Sequence, residues 1–207
     1  MLKRTKGRLL ITLLVVTGLA GTIHNDALTQ KERKYALKEI KDSKNDVLKS
    51  VRGLSEIQMN FKSAQDQYSI KECIYLIAKS EINLCQLLEG TMKAPANPDK
   101  RQEIKINDEQ LVDMMKTQTN KFETQELFEI KSTPWKSLTD ALDEFKNKRS
   151  DHIKYMKSTT EDLRNHVVQL PFGWIDCYQL YLMIGAISNR YLQQINEIKT
   201  NPDFPKN

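Results

Sequence analysis

Histidine and cysteine are the side chains here most able to hold a metal or attack an electrophile, and the chain has three of each. The histidines are His24, His152 and His166; the cysteines are Cys73, Cys85 and Cys177. Three scattered imidazoles cannot assemble a conventional histidine-rich metal site, which needs several neutral nitrogen ligands converging on one ion. The motifs of other chemistries are missing as well. There is no phosphate-binding glycine loop, no G-x-S-x-G nucleophile elbow, no His-Glu-x-x-His and no Cys-x-x-Cys. Cys73 and Cys85 fall twelve residues apart on one expected helix, roughly 18 Å at 1.5 Å per residue, too far for a disulfide. A bond from either to Cys177 stays geometrically open, beside the alternative of three buried free thiols.

These residues are carried by long amphipathic stretches. Thr29-Gln30-Lys31-Glu32 is a capping box, in which the threonine hydroxyl and the glutamate carboxylate satisfy each other's backbone N–H groups. It opens a helix carrying Leu37, Ile40, Val47, Val51 and Leu54, closed at Gly53. Residues 55–68 read as a polar connection. Ser69-Ile70-Lys71-Glu72 is a second capping box; beyond it Cys73, Leu76, Ile77, Leu84, Leu87 and Leu88 share one side. Gly90, Pro95 and Pro98 end that helix. Residues 94–106 read as a polar loop, Asn107 caps a short amphipathic piece with Leu111, Met114 and Met115, and residues 117–136 read as mostly irregular. A third long helix, from about Leu138 to Lys157, places Leu138, Leu142, Phe145, Arg149, His152, Ile153 and Met156 on its inward stripe. After a turn at Pro171-Phe172-Gly173, a last helix turns Cys177, Leu180, Ile184, Ile187, Tyr191, Ile195 and Ile198 inward. Four long amphipathic helices and one long crossover predict an all-α four-helix bundle with a short extra helix in the crossover.

Charge narrows the function classes. The chain has 32 basic and 27 acidic residues, a net +5. Lys3, Arg4, Lys6 and Arg8 supply four of those charges, so the remainder is nearly neutral and offers no phosphate-binding surface. No nucleic-acid partner is expected. The four bases precede an apolar run from Leu9 to Ala20, and Gly18-Leu19-Ala20 has the small-x-small form of a cleavage site. Residues 1–20 are therefore expected to be a signal peptide, 21–28 a short tail and 29–207 the folded domain, exported to the periplasm or secreted. The apolar run is shorter than the roughly 20 residues that span a bilayer, so no stable membrane anchor is expected after signal removal.

Several stretches resemble one known family. Tyr68-Ser69-Ile70-Lys71-Glu72, continuing through Ile77-Ala78-Lys79-Ser80-Glu81, resembles the Trp-Ser-x-x-Glu opening of the second helix in the DinB/YfiT-like family, with tyrosine in place of the usual tryptophan. Leu163-Arg164-x-His166, Pro171-Phe172-Gly173-x-x-Asp176-x-Tyr178-Gln179, then Arg190 and Gln194-Ile195, is similar to the family's approach to its fourth helix. Leu54-Ser55-x-x-Gln58-x-Asn60-Phe61 is similar to the segment after its first. The resemblance implies a DinB-like four-helix bundle. Many members bind a divalent metal through one histidine on helix two and a His-x-x-x-His pair on helix four, and some transfer low-molecular-weight thiols.

On that resemblance the three ligand positions fall at Leu76, Ile187 and Tyr191, none a histidine. Leucine and isoleucine have no lone pair, and a phenol is a rare ligand. A substituted site could draw on Cys73, His152 and Tyr191 as cleft residues; otherwise His152 packs against Arg149 or reaches solvent, and His166 braces its turn. The favoured expectation is a degenerate, metal-free bundle without a cofactor or an assigned catalytic residue. It would bind a small molecule or a protein, a homodimer partner included. The alternatives are a thiol S-transferase-like enzyme with substituted ligands and a structural envelope protein.

Overall fold

A computed structural model describes residues 28–117 and 134–206. The expected signal peptide, most of the short tail and most of the stretch 117–136 lie outside the described residues. The order of elements is α1 (Gln30–Ser50), α2 (Glu56–Asn60), α3 (Ile70–Lys93), a 3-10 turn (Pro98–Glu103), α4 (Asp108–Lys116), α5 (Leu138–Ser158), β1 (Val167–Leu170), β2 (Gly173–Asp176) and α6 (Cys177–Thr200). All six of these α-helices open on a reciprocal capping box, from Thr29 with Glu32 on α1 to Asp176 with Gln179 on α6. Each box satisfies backbone N–H groups that the first turn leaves without intrahelical partners, so the helix starts are fixed locally.

Contacts between the long helices fix their directions. Arg33 near the start of α1 donates to Met156 O (2.5 Å) and Thr159 O (2.9 Å) at the end of α5, so these helices are antiparallel. Tyr178 Oη donates to Glu32 O (2.9 Å) at one end of α1 and α6, and Lys199 donates to Ser50 O at the other, so these two are parallel. Cys73 lies opposite Gln194, making α3 antiparallel to α6. The bundle therefore runs up-down-down-up, with α5 diagonally across from α6. The connection from α3 to α5 must travel the length of the bundle, and on the way α4 packs against the outside of α6.

That extra layer changes the burial of α6. Its 16 buried residues out of 24 cover almost its whole circumference through Ser188, where the sequence predicted a single inward stripe. The helix is covered by α1, α3 and α4 together. At Gly185 a Cβ would stand 3.2 Å from Glu39 O of α1, so glycine permits the close approach of these two helices.

Three connections are more ordered than the sequence predicted. Residues 55–68 contain α2, begun by a Ser55–Gln58 capping box. The loop 94–106 contains the 3-10 turn, and Asn97 pairs with Val167 through both of its amide atoms (2.9 and 2.8 Å) like an added strand edge. The expected turn at 171–173 is the tip of an antiparallel hairpin, with Val167 opposite Asp176 and Leu170 opposite Gly173. Gly173 takes φ +134°, a conformation that a side chain would strain. Among the described residues, no helix is long and apolar enough to cross a membrane.

Candidate functional site

The centre of the bundle is polar. Arg149 of α5 is fully buried, and its guanidinium reaches all three other long helices. Nε donates to Glu81 Oε2 on α3 (2.6 Å). Nη1 donates to Ser43 Oγ on α1 (2.6 Å), with Ile40 O farther off at 3.5 Å. Nη2 donates to Ile184 O (2.7 Å) and Ser188 Oγ (2.6 Å) on α6. Ser43 in turn donates to Glu39 O (2.7 Å) and Ser188 to Ile184 O (3.2 Å), so both hydroxyls are satisfied. Burying a guanidinium is costly unless its fork is filled and a counter-charge lies close. Both conditions hold here.

His152, one turn along α5, faces the second oxygen of the same carboxylate. Its Nε2 stands 3.4 Å from Glu81 Oε1, yet the alignment is too poor for a hydrogen bond, and both atoms are buried without another partner. The ring meets Tyr181 edge to face at 5.5 Å, and the Tyr181 hydroxyl donates to His152 O. Burial, reinforced by the nearby positive charges of Arg149 and Lys148, pushes the His152 imidazole down to about 4, so it is neutral at pH 7. Burial pushes the Glu81 carboxyl up, while the Arg149 guanidinium opposes that shift.

The outer side of His152 borders a cavity of about 420 Å³ between α3 and α5. Leu88 and Met92 supply apolar lining, and Cys85, His152 and Tyr155 add soft or aromatic surface. Lys93, Lys148, Glu89, Asp151 and Glu161 carry its charges. Several of its polar groups already have partners. Lys93 faces Glu89 at 3.9 Å, Cys85 Sγ lies 3.4 Å from Glu89 Oε1, and the Tyr155 hydroxyl donates to Glu161. Burial raises all three thiols: Cys85 to about 11, Cys73 and Cys177 to about 12. They are protonated at pH 7 and poor nucleophiles, and all three are free, which settles the disulfide question left open by spacing.

The other residues singled out by sequence lie elsewhere. Leu76, Ile187 and Tyr191 are all buried in the core. Burial pushes the Tyr191 phenol up to about 12. Cys73 lies at that level of the bundle, its Sγ 3.7 Å from Gln194 Oε1. His152 contacts Glu81, eight residues further along α3, a displacement of about 12 Å. Cys73, His152 and Tyr191 therefore occupy two levels, and the structure does not bring them together around one ion. Among the described residues, no group of three or more His, Cys, Asp and Glu side chains could hold a metal ion. His166 Nδ1 lies 3.1 Å from Thr91 O and braces the hairpin against the end of α3; His24 lies outside the described residues.

Glu81, the partner of Arg149, is not among the residues singled out from the sequence. A signal was present: Ile77, Glu81, Leu84 and Leu88 follow one another at three- and four-residue steps, so the glutamate falls on the buried stripe of α3. A carboxylate on one inward stripe and an arginine on another are each other's natural counter-charge. No family model, no curated protein and no solved structure matches this chain.

Proposed function

We propose that this protein is an exported DinB-like bundle that binds a small amphipathic molecule in the α3–α5 cavity and uses no metal there. The cavity carries the binding reading: it combines an apolar lining, a ring of charged side chains and a buried imidazole in a volume suited to a small ligand. Four long helices with an α4-bearing crossover support the DinB-like reading, as do the capping boxes at Ser69–Glu72 and Asp176–Gln179 within the resembling stretches. On that alignment the metal position is filled by Leu76, Ile187 and Tyr191. Burial of each hydrocarbon there contributes roughly 1.5–3 kcal/mol, which would stabilise the closed floor.

Two experiments test the two halves of this reading. Titration of ¹⁵N-labelled protein with 2-methoxynaphthalene, a neutral probe of suitable size, should shift amide signals of Cys85, Leu88, Met92, His152 and Tyr155, and a cavity-filling Leu88→Trp variant should abolish the response. Shifts spread over the whole surface, or none, would defeat the cavity reading. The combined substitutions Leu76→His, Ile187→His and Tyr191→His should create a site for Ni²⁺ or Zn²⁺ if the family geometry is kept. A folded triple variant that binds neither ion would refute the alignment.

A further inference from the structure

We infer that His152 is the recognition base of the α3–α5 cavity, accepting a hydrogen bond from the O–H of a neutral hydroxylated ligand, an alcohol or a phenol. The inference rests on the cavity reading above and goes further by naming the ligand's chemistry. Its starting point is two buried polar atoms without hydrogen-bond partners, His152 Nε2 and Glu81 Oε1, facing each other at 3.4 Å. A small rotation of the imidazole turns this contact into a hydrogen bond, and such bonds often tighten only when a ligand arrives. Nε2 is then the donor toward the Glu81 carboxylate, which Arg149 Nε pairs at 2.6 Å against the upward push of burial, because a carboxylate accepts and does not donate. That tautomer leaves the lone pair on Nδ1. Among the described residues Nδ1 has no hydrogen-bond partner, it is not among the sealed, unpartnered atoms, and His152 lines the cavity.

Arg149 makes this arrangement rigid. Its fork fixes Glu81 Oε2 and ties α1, α3 and α6 around it, while Tyr181 packs on the imidazole edge and donates to the His152 backbone. Glu81 and Arg149 are thus positioning residues, and His152 is the group that touches the ligand. The charges around the cavity define the ligand's own charge. Two lysines face three carboxylates, and Glu89 already serves both Lys93 and the Cys85 thiol. So mixed a rim attracts neither a strong anion nor a strong cation. Leu88 and Met92 meanwhile favour an apolar body. What remains is a neutral molecule with one donor for one acceptor.

The test compares two probes of nearly the same shape, 2-naphthol and 2-methoxynaphthalene, only the first carrying an O–H. Wild-type protein should bind 2-naphthol about fivefold more tightly or better, as one net hydrogen bond gives. The naphthol alone should shift the ¹⁵N resonance of His152 Nδ1. In His152→Phe, which keeps a ring against Tyr181, the two probes should bind alike. Equal affinities in the wild type overturn the inference and leave the cavity reading standing. A preference that survives in His152→Phe also overturns it, since the acceptor would then be a rim carboxylate. If neither probe binds, the inference and the cavity reading fall together. Should His152→Phe not fold, the wild-type affinity ratio and the Nδ1 shift decide the matter by themselves.

Discussion

Arg149 and Arg164 each join several helices, under opposite electrostatic conditions. Arg149 sits in the dry centre with one carboxylate and takes the rest of its contacts from serine hydroxyls and backbone carbonyls. Arg164, at the end of the bundle and partly exposed, is clasped by three carboxylates: Glu32 (2.6 Å), Asp108 (2.6 Å) and Asp176 (2.9 Å). Those acids belong to the first turns of α1 and α4 and the N-cap of α6, where the positive ends of the helix dipoles favour negative charge. The guanidinium, lying 4.1 Å over the Tyr178 ring, relieves the repulsion that three converging acids create. Near water an excess of acids is tolerated because solvent screens it. In the centre a second carboxylate would be ruinous, so neutral acceptors complete the fork.

The largest effect should come from breaking the central pair. Arg149→Met leaves Glu81 buried and uncompensated and should cost about 3–5 kcal/mol in urea unfolding. Adding Glu81→Leu should recover most of that loss, because the pair is replaced by hydrocarbon of similar volume. A double variant no more stable than Arg149→Met would show that the arginine's ties to α1 and α6 outweigh its charge pairing.

Next comes the histidine beside that pair. Its folded value of about 4 lies below the ordinary 6.5, so between those pH values the unfolded chain binds a proton that the folded chain refuses. Stability should therefore fall as pH drops from 6.5 to about 4, by about 3 kcal/mol in total. The raised Glu81 carboxyl acts in the opposite sense, so the measurement is the difference between wild type and His152→Gln across that range. A His152 imidazole that titrates near 6.5 by NMR would contradict the dry centre directly.

Arg164→Ala should cost less, about 1–3 kcal/mol, because its partners regain water on losing it. Salt should give the smallest effect and the sharpest contrast. Raising ionic strength from about 0.1 to 1 M shortens the screening length from about 10 to 3 Å. The stability lost on Arg164→Ala should shrink under that change by a fraction of a kcal/mol, while the Arg149→Met loss stays constant. Equal salt sensitivity at both positions would dissolve the distinction.

Much of this architecture was legible in the chain because its signals are local. The capping box at Ser69–Glu72 and the apolar spacing from Cys73 to Leu88 place α3 without reference to any other segment. The hairpin at 167–176 was not legible: its strands are four residues each, too short to show a period, and one edge is completed by Asn97, seventy residues away. The central site was half legible. Arg149 and His152 stand out on an apolar stripe, but their shared partner Glu81 becomes one only when α3 and α5 lie side by side in parallel.

Local signals along the chain place the starts of the long helices and the inward faces of α1, α3 and α5, and they put hydrocarbon and a phenol at the proposed metal positions. Those properties depend on residues three or four apart, within reach of one helical turn. Tertiary structure alone decided that α6 is covered by three neighbouring helices, that Cys73 and Tyr191 stand one level away from His152, and that a cavity opens beside the imidazole. Each depends on helix direction and on how far one helix slides along another. Those are set by the sum of many distant contacts, and no short stretch of the chain contains them.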